Sequence, residues 1–289
     1  MELQQCNEQQ IAYINMEIDM AEELMPNFLV QARKIFFLGF KNPSLKIREK
    51  AENDYVTAAD EDIEKAFRQW IKGIFPSHSV LGEEEGLELG SNETNPDFIW
   101  KIDPIDGTGE YKNGGLNSAV VVSLSYQNYP VYAVCDLPHY GLTYTARMGE
   151  GVRVNGENLN VSRPDSIKDT KVVTFSLDKY SGQRERMFGK LWGQSSGVIN
   201  KNSCLVEVCD VISGNSGVGI WHTLEEYEWP TAWLLATESG CVIRSLDSMD
   251  CELDLIQPGG RSVMIAGNSN LFMEAKALIN YSKELFFEI

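Results

Sequence analysis

Trp100-Lys101-Ile102-Asp103-Pro104-Ile105-Asp106-Gly107-Thr108 decides how this chain is read. Residues 98–102 are apolar apart from Lys101 and read as a short strand that runs directly into Asp103. Pro104 sets the turn and removes a backbone donor, and Gly107 lets a ligand approach the backbone closely. Two carboxylates where a strand gives way to a loop, followed by free N–H groups, suit a hard cation and a phosphate. A plain turn is the competing reading, because Asp-Pro and Asp-Gly steps are common turn formers. Upstream, Gly82-Glu83-Glu84-Glu85-Gly86 follows another short apolar strand, Val80-Leu81. Alone it reads as a solvated acidic loop, since three like charges in a row either face water or are compensated by a cation. Two strands that each deliver carboxylates at their ends are better explained by one shared metal site than by two accidents.

Outward from this centre, helices and strands alternate. Ile11, Ile14, Ile18, Ala21, Met25, Phe28, Ala32 and Ile35 recur at helical spacing and predict a long amphipathic helix over 11–37. A second helix begins near Asp60, with Ile63, Phe67, Trp70, Ile71 and Ile74 as its apolar stripe, and Pro76 ends it. Runs rich in β-branched residues predict strands over 79–81, 98–102, 119–126, 131–136 and 142–147, then a hairpin over 149–156. The remainder predicts strands over 171–175, 204–209, 241–244 and 263–266, and helices over 183–192, 230–238 and 271–286. No internal repeat, low-complexity tract or long linker interrupts it. The expectation is an α/β (α+β layered) body, with a soft boundary between residues 1–148 and 149–289.

Composition narrows the partners. The 289 residues are 43% hydrophobic and 23% charged, as expected of a soluble chain with a large core. Against 25 basic residues stand 42 acidic ones, a net −17 that disfavours a nucleic-acid polymer or an anionic membrane as partner. A small anionic substrate stays open, because bound divalent cations invert the local potential. No apolar stretch approaches the ~20 residues that cross a bilayer, and the polar, acidic residues 1–10 do not read as a signal peptide. Six cysteines without a CxxC pair or zinc spacing suggest free thiols in a reducing cytoplasm. The three histidines lack partners at metal-ligand spacing and read as packing or surface residues. There is no Gly-x-Ser-x-Gly elbow, Walker loop or Gly-x-Gly-x-x-Gly turn.

Three segments resemble one known family in order and spacing: Val56-Thr57-Ala58-Ala59-Asp60, Phe75-Pro76-Ser77-His78-Ser79-Val80-Leu81-Gly82-Glu83-Glu84, and Trp100 through Thr108. The family is that of the inositol monophosphatases, Mg²⁺-dependent and lithium-sensitive. The likeness continues through residues 144–151 and 154–156 and resumes at 236–243. It implies an αβαβα sandwich of the inositol monophosphatase / fructose-1,6-bisphosphatase type. It also implies a substrate pocket built by residues 149–289, a homodimer, and two or three Mg²⁺ ions, with Mn²⁺ as the alternative. Glu83, Asp103, Asp106 and the Ile105 carbonyl resemble the family's metal ligands. Asp60 and Thr108 resemble the pair that orients and deprotonates the attacking water, with Glu83 beside them. Gly107 and Thr108 would offer backbone N–H groups to the phosphate, next to Asp106.

The second half departs from the family pattern. Counting back ten residues from Glu238 places the last metal ligand at Glu228, where the family has Asp, and Pro230-Thr231-Ala232 replaces Ala-Ala-Gly. Glu225 and Glu226 are alternatives in register, and an acidic helix N-terminus facing solvent is the competing reading. Gly109-Glu110-Tyr111 stands where inositol-directed members carry Thr-Asn-Phe, and resembles the branch acting on 3′-phosphoadenosine 5′-phosphate. The family's Gly-Ser or Gly-Thr substrate turn has only Ser195-Ser196-Gly197-Val198 to match it, which makes Gly197 the candidate. The expected activity is hydrolysis of an inositol or related sugar phosphate. A 3′(2′),5′-bisphosphate nucleotidase and a non-catalytic binding protein are the alternatives.

Overall fold

Residues alternate between two environments along the strand Ala119–Tyr126 at the middle of the larger sheet. Val120, Val122 and Leu124 belong to a core built with the helices Glu8–Gly39 and Ala58–Ile74, whereas Ala119 and Val121 belong to a second core. Such period-two burial on both faces requires a layer on each side of the sheet. A computed structural model shows both, and describes residues 7–42, 47–51, 54–91, 97–174, 181–250 and 259–279.

Eight strands form the larger sheet, in the order Glu157–Asn158, Gly151–Val154, Leu142–Arg147, Tyr129–Leu137, Ala119–Tyr126, Phe98–Asp106, Ser79–Gly82, Gly86–Glu88. Among the described residues, the pair Ser79–Gly82 and Phe98–Asp106 is the only parallel one in this sheet. On its inner face lie the helices Cys204–Ile212 and Trp229–Glu238. These also cover one face of a five-stranded sheet ordered Gly197–Ile199, Lys171–Thr174, Val218–Leu224, Arg261–Ala266, Val242–Ser245. The far face of that sheet, through Val172, Val218, Ile220 and Met264, packs on Ser181–Gln194 and Ser269–Leu278. The layers therefore run α, β, α, β, α, as the resemblance implied.

Most expected elements are present, and several differ, among them the strands Ile47–Ala51, Asp54–Thr57 and Gly86–Glu88 and the short helix Thr108–Lys112, which the sequence reading lacks. The expected strand over 204–209 is the helix Cys204–Ile212. Its residues are buried on every side, so apolar periodicity carries no helix signal, and the β-branched valines favour a strand. Ser203 caps it, its hydroxyl accepting from the Val206 N–H at 3.4 Å. The strands Gly197–Ile199 and Val218–Leu224 were not expected. The closing helix spans Ser269–Leu278, and residues 280–286 of the expected range lie outside the described residues. His78 is a packing residue: it stacks on Phe75 and Phe98, and its Nδ1 accepts from the Trp100 indole at 3.0 Å.

Candidate functional site

The strand Phe98–Asp106 is out of register between its two aspartates. Asp103 faces Val121 while Asp106 faces Ala119, so three residues span what two span on the neighbouring strand. In an unbroken strand, residues three apart point to opposite faces. This one-residue bulge turns both carboxylates to the face carrying Ala119 and Val121, toward the middle helices. Pro104 occupies the bulge, where a missing N–H interrupts no ladder bond. The Ile105 N–H donates to Asp103 Oδ1 at 3.0 Å, and the Ile105 carbonyl accepts from the Thr108 hydroxyl at 2.9 Å.

Because Ser79–Gly82 runs parallel to this strand, the two carboxyl-terminal ends lie side by side, and the Glu83 N–H donates to the Ile102 carbonyl at 3.2 Å. A residue absent from the sequence candidates anchors this loop. Glu64 is fully buried in the helix Ala58–Ile74, where Oε2 accepts from the Glu84 N–H (2.8 Å) and Oε1 from the Glu85 N–H (3.0 Å). Arg68, one turn on, donates to the same carboxylate through Nε (3.0 Å) and Nη2 (2.6 Å). A Cβ on Gly82 would lie 2.2 Å from Glu64 Oε1, so the approach requires glycine. The available signal was an i, i+4 Glu–Arg pair inside an otherwise apolar stripe, which reads as charge placed where burial was expected.

Asp60 is the third residue of the same helix, and its place follows from a capping box. Oδ2 accepts from the Thr57 N–H (2.9 Å) and hydroxyl (2.5 Å). Its other oxygen, Oδ1, lies 3.2 Å from the Thr108 hydroxyl, linking helix to turn. That hydroxyl has one proton for two acceptors, Asp60 and the Ile105 carbonyl, so it can pass between them without moving its oxygen.

The second half closes the site on Asp106. Its Oδ2 accepts from the Ser203 hydroxyl at 2.6 Å and the Leu205 N–H at 2.7 Å, and its Oδ1 from the Cys204 N–H at 2.9 Å. The carboxylate thus sits on the N-terminus of Cys204–Ile212, where free N–H groups favour negative charge. Before the helix, Asn202 adopts the left-handed region (φ 54°) and donates to Glu110 Oε1 at 3.3 Å. A Cβ on Gly107 (φ 86°) would lie 2.6 Å from the Asn117 carbonyl and 2.9 Å from Ser203 Cβ. The turn brought to the aspartates is therefore Asn202-Ser203. Gly197 lies on the edge strand Gly197–Ile199, where its carbonyl accepts from the Ser195 hydroxyl, and is not brought to the carboxylates. Asn, which tolerates the left-handed region, followed by an N-capping Ser was the legible signal. Tyr111 is a core residue whose hydroxyl donates to the Phe36 carbonyl at 2.5 Å.

Of the three glutamates in register, Glu228 is the buried one, Glu225 is exposed, and Glu226 pairs with Lys101 at 3.8 Å. Glu228 Oε2 accepts from the Glu225 N–H at 2.6 Å. Ligand atoms of Glu228, Asp106 and Cys204 lie within 4.8 Å of one another.

Burial dominates the electrostatics, and crowding of carboxylates adds to it. Burial pushes Asp103 well up, and Glu83, Asp106 and Glu228 push it further. Burial and Asp106 do the same to Glu228. Asp106 rises to about 6 through burial, opposed by the donors on Ser203, Leu205 and Cys204. Asp60 rises to about 7 through burial, opposed by Thr57. Lys101, two residues before Asp103, has its pKa lowered by burial, opposed by Glu226, and pairs with Glu226 rather than with the aspartates. Buried oxygen donors that raise one another's pKa fit a hard divalent cation, which removes both the desolvation and the repulsion.

The family model described as "Inositol monophosphatase family" matches residues 22–280. The Nus factor SuhB of Pseudomonas aeruginosa is 28% identical over 244 residues, 81% of this chain and 85% of that protein. A fructose-1,6-bisphosphatase/inositol-1-monophosphatase of Aquifex aeolicus is 28% identical over 230 residues, 78% of this chain and 81% of that protein. Among solved structures, an IMPase/NADP phosphatase complexed with Mg²⁺ and phosphate superposes with a TM-score of 0.78 at 19% identity, over 92% of this chain and 97% of that one.

Proposed function

The chain belongs to the inositol monophosphatase family, and on that premise we propose that it hydrolyses a small phosphate monoester, an inositol or related sugar phosphate, with Mg²⁺. Mn²⁺ is the alternative ion, and a cytoplasmic homodimer the working form. The observation that carries the proposal is the bulge that turns Asp103 and Asp106 to one face, where Glu83 and Glu228 meet them. Glu83, Asp103, Asp106, Glu228 and the Ile105 carbonyl would hold the metal. When bound, it supplies neutralisation of phosphoryl charge and a water of lowered pKa. Thr108 orients the attacking water through its hydroxyl, and Asp60, linked to it at 3.2 Å, takes up the proton. The N–H groups of Gly107 and Thr108 receive the phosphate, at a turn where Gly107 leaves no room for a Cβ. Pre-positioned donors of this kind stabilise charge in the transition state without reorganising.

A bisphosphate nucleotidase is the second reading, favoured by Glu110 bonding to the Asn202 turn beside the site. Phosphate release with and without Mg²⁺, across inositol phosphates, sugar phosphates and 3′-phosphoadenosine 5′-phosphate, separates the two. Release from none of them sinks both and leaves a binding protein, the role suggested by the Nus-factor name of one relative.

A further inference from the structure

Cys204 opens the helix Cys204–Ile212 and is held in place through its own backbone, whose N–H donates to Asp106 Oδ1 at 2.9 Å. The side chain is 3% exposed, and its thiol takes no hydrogen bond among the described residues. Its sulfur, an oxygen of Asp106 and an oxygen of Glu228 all lie within 4.8 Å of one another. Cys204 packs in the core between the two sheets, and its sulfur also stands beside the carboxylates of Asp106 and Glu228, a soft donor atom at the place where a cation would sit.

Donor chemistry indicates which cation. Carboxylate oxygens alone suit Mg²⁺, whereas one thiolate among them shifts preference toward zinc and its thiophilic neighbours. Ligand atoms around a tetrahedral Zn²⁺ stand about 3.5 Å apart, given Zn–S near 2.3 Å and Zn–O near 2.1 Å. Closing from 4.8 Å or less is within the reach of small side-chain rotations. We propose that Cys204, Asp106 and Glu228 form a mixed sulfur–oxygen site that takes Zn²⁺ in preference to Mg²⁺, and that zinc there withdraws Asp106 and Glu228 from the magnesium site and inhibits the phosphatase. The inhibitory half rests on the function proposed above. The binding half does not. On binding, the thiol S–H breaks, its proton leaves to solvent, and the sulfur lone pair forms the metal bond, with no redox change.

The test is a titration of metal-free full-length protein with Co²⁺, followed by the sulfur-to-cobalt charge-transfer absorption. One band saturating at one Co²⁺ per chain is expected, bleached by equimolar Zn²⁺ and displaced by Mg²⁺ only at ~100-fold excess or more. Cys204→Ser should abolish the band and Cys241→Ser should keep it. Glu228→Gln, which leaves the thiol intact, should weaken Co²⁺ binding at least ~10-fold and covers the case of a serine variant that fails to fold. No band in the wild type, a band surviving in Cys204→Ser, or unchanged affinity in Glu228→Gln overturns the site. Because absorption needs no turnover, the outcomes separate: a band without Mg²⁺-dependent phosphate release fails the phosphatase reading alone, and release without a band fails this one.

Discussion

Asp106 and Glu228 face the same buried space but are held differently. Asp106 ends a strand that is bulged and stiffened by Pro104, is followed by a glycine that nothing larger could replace, and accepts three hydrogen bonds. Glu228 stands at the N-cap of Trp229–Glu238, its side chain accepts one bond from Glu225, and it carries one more rotatable bond. Donors that favour the charged form leave Asp106 only moderately raised, to about 6, while Glu228 is pushed well up. Three donors fix both oxygens of Asp106, whereas a single donor on one oxygen fixes Glu228. Ordering what freedom Glu228 keeps costs a fraction of the ~1.5–2 kcal/mol of rotamer entropy of a free Glu.

The largest expected effect tests the rigid side. Asp106→Asn should lower Mg²⁺-dependent turnover by more than ~100-fold, beyond the cost typical of losing an outer-shell partner. Circular dichroism should show the fold retained, and wild-type turnover in this variant would remove Asp106 from the site. Glu64→Gln tests whether rigidity also governs the Glu83 loop. Keeping the shape but losing the charge that gathers Arg68 and two N–H groups, it should raise the Mg²⁺ requirement about 10-fold. A requirement equal to wild type would show that the loop holds itself.

The flexible side should respond less. Glu228→Gln should raise the Mg²⁺ requirement a few-fold beyond an already high wild-type value, in proportion to the ordering cost above. Glu228→Asp restores the shorter arm, and an intermediate curve would place its carboxylate within reach. Three superimposable Mg²⁺ titrations would show that Glu228 is no ligand.

A last expected effect leaves turnover aside and concerns the stability contributed by a buried neighbour of Asp106. Glu207 accepts from the Lys201 N–H and the Trp221 indole, yet burial raises it to about 8 from an ordinary 4.5. The folded state then binds a proton that the unfolded state has released between those values, so stability falls as pH rises from 4.5 to 8. Glu207→Gln removes that component and should lose less stability between pH 5 and pH 8 than the wild type does. The difference is at most about 1.4 kcal/mol per pH unit, read from urea midpoints, against a constant offset for the altered hydrogen bond. Parallel pH profiles would mean that Glu207 stays ionised throughout.

Legibility followed distance along the chain. Asp103, Asp106 and Gly107 lie within five residues, so turn chemistry and residue type suffice to single them out, whereas Ile105 and Thr108 take their roles from the family pattern. Asp60 was reached through the family pattern, although its Thr57 capping box is equally local. The helix Cys204–Ile212 is not legible, because a segment buried all round shows neither a stripe nor an alternation. Nor is Glu64, because its partners, the Glu84 and Glu85 N–H groups, lie about twenty residues on.

By itself the sequence determined the layered class, the long amphipathic helices, the β-branched central strand and the acidic turn, all set by periodicity, by residue type and by the preferences of Pro, Gly and Asp over a few residues. Only the tertiary structure decided that Asn202-Ser203 rather than Gly197 meets the aspartates, that Glu228 is the buried member of its trio, and that Cys204 joins them. The bonds concerned join Asp106 to residues 97–99 positions away. Such pairing follows from how the middle helices pack between two sheets, and no local preference encodes that register.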